Sequence, residues 1–106
     1  YIFGIEKIAM RIITFTTLKS YINEHPETDI ALREWFSKTK KSDWNNFSDI
    51  KRTFNHVDYV GNDHFVFNKK GNQFRLVAMI LFKSKKVFIR FIGSHKKYDD
   101  IDYSNI

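Results

Sequence analysis

Apolar side chains recur every three to four residues between Thr17 and Phe54, and every second residue between His64 and Gly93. The chain therefore passes from helical to extended structure near its middle. Leu18, Tyr21 and Ile22 mark a first helix, with Thr16 or Thr17 as its cap. Pro26, the only proline, ends that helix and fits the first turn of the next. There Ala31, Leu32, Trp35, Phe36 and Thr39 form one stripe, leaving Arg33, Glu34 and Lys38 to water. Lys38, Lys40 and Lys41 fall at its C-terminal end, where the helix dipole favours cations; alone, such a run reads as a solvated end. Phe47, Ile50 and Phe54 predict a short third helix capped by Ser48 or Asn46. Ahead of the helices, Arg11-Ile12-Ile13-Thr14-Phe15 predicts a strand that follows Met10. Residues 1–9 read as an extension, either a loose arm or an added strand, and residues 10–106 as one domain.

Asn55 to Val60 leads through the turn signal Gly61-Asn62-Asp63 into three predicted strands, His64–Asn68, Gln73–Phe82 and Val87–Gly93. Lys69-Lys70-Gly71-Asn72 and Lys83 to Lys86 are the turns between them. Pairing Asn68 with Gln73 and Phe82 with Val87 sets the faces, because alternate residues point to opposite sides. One face then carries Phe65, Phe67, Phe74, Leu76, Ala78, Ile80, Phe82, Val87, Ile89 and Phe91, a core. The other carries His64, Val66, Asn68, Gln73, Arg75, Val77, Met79, Leu81, Phe88, Arg90, Ile92 and Ser94. Arg75 is expected opposite Ser94, and so beside His95. A slip of one residue in either hairpin reverses these assignments. Asp99 to Asp102 suits a final helical turn.

The charge is local. Residues 64–98 hold nine of the 18 Lys and Arg and none of the 12 Asp and Glu, while the other 71 residues sum to 9 − 12 = −3. An unbalanced stretch on strands and turns points to a polyanion. Other chemistry finds little support. With no Cys there is no disulfide or thiolate site, and the four His form no HExxH or paired spacing for a metal. Paired carboxylates for sugar hydrolysis are missing from the basic segment, as are a Walker loop and a serine elbow. No apolar run reaches membrane-spanning length and no leader pattern opens the chain, so a soluble, cytoplasmic protein is expected. RNA can be cut with no metal by a base at the 2′-OH, a cation at the phosphorane and an acid at the leaving 5′-oxygen. Arg75 suits two phosphate oxygens, His95 is the residue type suited to proton exchange near neutral pH, and Tyr98 can orient a hydroxyl or stack on a base. Singly, each also reads as a surface Arg, a loop His and a packing Tyr.

Phe65-Val66-Phe67-Asn68, Gly71-Asn72, Phe74-Arg75-Leu76-Val77-Ala78, Ile89-Arg90, His95-Lys96 and Tyr98-Asp99 together resemble HigB-type toxins of the RelE superfamily. The likeness spans about Met10 to Asp102 in layout and is specific mainly over Phe65 to Asp99. It implies an α+β fold with N-terminal helices packed on one face of a curved antiparallel sheet. It also implies a toxin of a type II toxin–antitoxin pair, a metal-independent mRNA interferase without cofactor, acting on the translating ribosome. The implied partners are mRNA, ribosomal RNA and a helix-turn-helix antitoxin of HigA type. Carried over by position, Arg75 is the transition-state stabiliser, His95 stands where relatives place a catalytic acid, and Tyr98 orients the mRNA. Asn68, Lys69, Lys70, Asn72, Arg90 and Lys96 are the expected RNA contacts. Lys97 departs from the Glu of many relatives. The competing reading is a basic module that holds RNA or DNA uncut within a repressor complex.

Overall fold

The computed structural model describes residues 9–69 and 74–94. Strand β1 (Arg11–Ile12) leads into α1 (Phe15–Glu24), a 3-10 turn (Pro26–Thr28), α2 (Asp29–Lys41) and α3 (Phe47–Thr53). Strands β2 (Val57–Gly61), β3 (His64–Lys69), β4 (Phe74–Leu81) and β5 (Lys86–Ser94) follow. The sheet order is β1-β5-β4-β3-β2, antiparallel except that β1 runs parallel to β5. The architecture is α+β, as expected, with five strands where four were expected, β2 being the addition.

Local chemistry explains most boundaries. Pro26 occupies the first position of the 3-10 turn that feeds α2, where its missing N–H costs nothing. Asn46 caps α3 by accepting the Asp49 N–H at 3.0 Å. Asn62 and Asp63 both adopt positive φ (50° and 62°) between the paired Gly61 and His64, giving the tight hairpin that joins β2 to β3. The start of the chain departs from expectation. The predicted strand stops at Ile12, and Phe15 already begins α1. Thr14, not Thr16 or Thr17, is the N-cap, and it makes no side-chain cap bond. Its hydroxyl instead accepts the Ile89 N–H at 2.6 Å, a tertiary contact that outcompetes local capping.

The main core lies between the helices and one sheet face. Leu18, Leu32, Trp35 and Ile50 from the helices meet Phe65, Phe67, Leu76, Ala78, Ile80, Val87 and Ile89 from the strands. Phe67 is central, with its ring 5.5 Å from Trp35, 5.3 Å from Phe54 and 6.5 Å from Trp44.

A tie at the far end of the sheet holds the α2–α3 connection to the β4–β5 turn. Lys85, at φ 59°, donates from Nζ to the Trp44 carbonyl (2.9 Å) and Asn45 Oδ1 (2.6 Å). Asp43 Oδ1 lies 2.7 Å from the same ammonium and outside hydrogen-bond alignment. The pair is only partly screened, the side chains being 15% and 29% exposed. Lys85→Met is therefore expected to cost about 2 kcal/mol, since bonds to a charged group are lost and Asp43 keeps its charge unpaired. Urea unfolding checks this; a loss below about 0.5 kcal/mol would make the tie merely superficial.

Candidate nucleic-acid interface

The strand pairings decide which basic residues share a face. In β3–β4 the register is Asn68↔Arg75, with Lys69↔Phe74 the last pair described, two residues out from the expected Asn68–Gln73. A shift of two keeps the parity, so every face assignment on those strands stands. The start of β5 behaves likewise, pairing Val87 with Ile80 where Phe82 was expected.

Beyond Ile89 the reading fails. The register shifts between Val77 and Ala78, so that Ala78 pairs with Ile89 but Val77 pairs with Phe91, leaving Arg90 as the extra residue of a β-bulge. This is the one-residue slip to which the assignment was sensitive. Phe91 joins Val66, Val77 and Val60 on the face away from the helices, whereas Ile92 turns to the main core. Ser94 pairs with Phe74, and Arg75 lies opposite Gly93. Arg75 is thus flanked in register by Asn68 on β3 and Gly93 on β5.

This second face has its own small core. Val66 and Val77 are fully buried there beneath Val60 and Phe91. The Phe91 ring lies along the strand over Gly93, where a Cβ would stand 2.4 Å from Cζ, so only glycine admits the ring at this spot. Half-buried Arg75 therefore projects beside an aromatic ring and a side-chain-free stretch of β5. Such a setting lowers the local dielectric around a guanidinium. Asn68 is half-buried, its Oδ1 enclosed with no hydrogen-bond partner among the described residues. Arg90 is exposed at the bulge.

Of the expected site residues, Arg75 and Asn68 are brought side by side and Arg90 lies on the strand beyond Arg75. Lys69 ends β3; its side chain, with Lys70, Asn72, His95, Lys96 and Tyr98, lies outside the described residues, as do residues 1–8 and Asp99 to Asp102. Sequence reasoning missed Phe91, which it assigned to the core. A signal was present: Ile89, Phe91 and Ile92 are apolar around Arg90, a break in strict alternation that marks a bulge. Among the described residues no group of three or more His, Asp or Glu is arranged to hold a metal, and no helix is long and apolar enough to cross a membrane.

Helices on one face of a five-stranded sheet and an Arg-bearing face opposite define a small basic α+β domain of RelE-like build. Residues 28–101 match the HigB toxin model, described as the RelE-like toxic component of a toxin–antitoxin system. The chain belongs to the HigB toxin family. It is 33% identical over 93 residues to the mRNA interferase toxin HigB of Escherichia coli (strain K12), covering 85% of this chain and 88% of that protein. The mRNA interferase HigB of Shigella flexneri gives the same figures. That of Escherichia coli O6:H1 is 26% identical, covering 87% of this chain and 91% of its own length.

Proposed function

We propose that this toxin is a metal-independent endoribonuclease that cleaves mRNA on the translating ribosome, in the cytoplasm, and is held in check by a helix-turn-helix antitoxin of HigA type. What supports the reading is Arg75 on the helix-free face of a segment carrying +9, together with the mRNA interferases among its relatives. Arg75 binds two oxygens of the scissile phosphate and stabilises the charge of the phosphorane. His95 and Tyr98 share the proton work: one group removes the 2′-OH proton, and a protonated group returns one to the departing 5′-oxygen. The bond formed is 2′-O to phosphorus and the bond broken is phosphorus to 5′-O, leaving a cyclic phosphate. Phe91 gives a neighbouring base an aromatic surface to stack on. Asn68, Lys69, Lys70, Asn72, Arg90 and Lys96 hold the strand and meet ribosomal RNA.

Mapping RNA 5′ ends after induced expression tests the proposal, alongside cleavage by purified protein with and without ribosomes. New ends inside translated codons, needing ribosomes in the purified system, are expected. Salt-sensitive RNA binding with no new ends would favour the non-cutting module instead.

A further inference from the structure

Two of the four large apolar side chains exposed among the described residues, Ile13 (47% exposed) and Phe15 (40%), flank the passage from β1 into α1. Another, Tyr59, rests against Phe47 and Phe65. Two hollows meet at Phe36. One, of about 340 Å³, is walled by Phe15, Leu18, Ile22 and Phe36 together with Lys19 and Arg33. The other, of about 550 Å³, runs from Phe36 to Ile13 with Arg11 and Lys40 in its walls.

A single exposed Ile or Phe is ordinary, but two mainly apolar hollows that share Phe36, with Ile13 and Phe15 open beside them, make up a trough suited to an interaction. Its charge narrows the occupant. Every charged residue lining the two hollows is a cation. Arg33 is paired with Asp29 on its own helix, and Lys40 Nζ stands 5.9 Å from the Phe36 ring centre. Among the described residues no acid pairs with Arg11, Lys19 or Lys40. A second copy of this chain would set cation against cation, whereas an acidic segment meets both the apolar floor and the charged walls. Membership of a toxin–antitoxin family means that a protein partner exists.

We propose that this trough, formed where β1, α1 and α2 meet at Phe36, is the docking site of an acidic amphipathic segment of the antitoxin. The proposal rests on membership of the toxin family and not on the assignment of the cutting residues. The trough belongs to the helical side of the molecule and Arg75 to the opposite sheet face, so the two functions separate by mutation.

The test uses the full chain, carrying Arg75→Ala so that it can be produced, and the purified product of the adjoining antitoxin gene. Calorimetric titration is expected to show affinity falling at least 100-fold in Ile13→Asp and in Phe15→Asp. The double variant Lys19→Glu, Lys40→Glu, at exposed positions that leave the core untouched, is expected to lose about 10-fold at low salt and less at high salt. It keeps the proposal testable should an apolar variant unfold. In cells with Arg75 intact, the variants arrest growth as the parent does and the antitoxin no longer rescues them. Unchanged affinity in Phe15→Asp and in the Lys double variant would overturn the proposal. So would a parent chain that self-associates through Phe15 while antitoxin binding ignores it. A parent that fails to arrest growth would sink the cleavage reading alone, because the calorimetric result stands without it.

Discussion

Arg75→Ala is expected to abolish growth arrest and to lower RNA cleavage by about 10²–10³, the usual cost of removing one preorganised donor from developing oxyanion charge. The setting argues for a large effect. Arg75 is half-buried between Asn68 and Gly93, next to a face packed with Val66, Val77 and Phe91, so water competes weakly for its guanidinium. Arg75→Lys separates charge from geometry. A lysine keeps the positive charge but loses the fork that spans two phosphate oxygens, and should recover only part of the rate. His95→Gln is expected to be comparably inactive, since it removes the one group of ordinary near-neutral pKa among the proposed participants. Both variants should bind antitoxin nearly as the parent does; for Arg75→Ala the reason is that Arg75 stands on the sheet face away from the helices. Single-turnover cleavage and induced growth curves are the measurements. Full toxicity in both variants would remove the proposed active site.

The largest expected loss of stability is at Phe67. Phe67→Ala should cost about 3–5 kcal/mol, the range for deleting a fully buried aromatic side chain. Its ring is enclosed by Trp35, Trp44 and Phe54, which come from α2, from the connection after it and from the end of α3. These large rings stand on separate elements and cannot all close on the space vacated, so the cavity term is large. Phe67→Leu should cost well under half as much, because it leaves a smaller void. Urea unfolding measures both. A Phe67→Ala loss near 1 kcal/mol would mean that the three rings collapse freely and that the core is not organised around this residue.

Much of the fold was legible because its determinants are local. The α2 stripe from Leu32 to Thr39 is a periodicity, Asn46 is a cap, and Pro26 is a starter of helical turns. Each works through neighbours within a few residues. Faces on β3 and β4 were legible for a different reason. A register shift of two leaves every side chain on its own side, so Phe65, Phe67, Leu76 and Ala78 kept their place in the core although the pairing differed from the expected one. Strands β1 and β2 were harder. The first is two residues long and takes its parallel pairing from β5, and the second is a short edge strand in which only Val57 is fully buried.

Charge and the single forked cation on the second predicted strand made Arg75 the candidate, but its neighbours were not legible. The neighbour across β5 was misread as Ser94 because the β4–β5 turn pairs two residues away from the expected register and the bulge at Arg90 restores only one of them, leaving Gly93 opposite Arg75. Beside that bulge, Thr14 Oγ1 takes the Ile89 N–H and Ile13 donates to the Val87 carbonyl. Those contacts tie the strand to residues some 75 positions earlier in the chain. Hydrophobic period and turn chemistry act at short range, so they determined the elements, the core and the basic segment. The bulge that turns Phe91 outward and sets Gly93 against Arg75 was decided by the tertiary structure. The apolar run around Arg90 hints at a bulge, but which residue then stands opposite Arg75 rests on the β4–β5 pairing as a whole, and short-range patterns do not encode that.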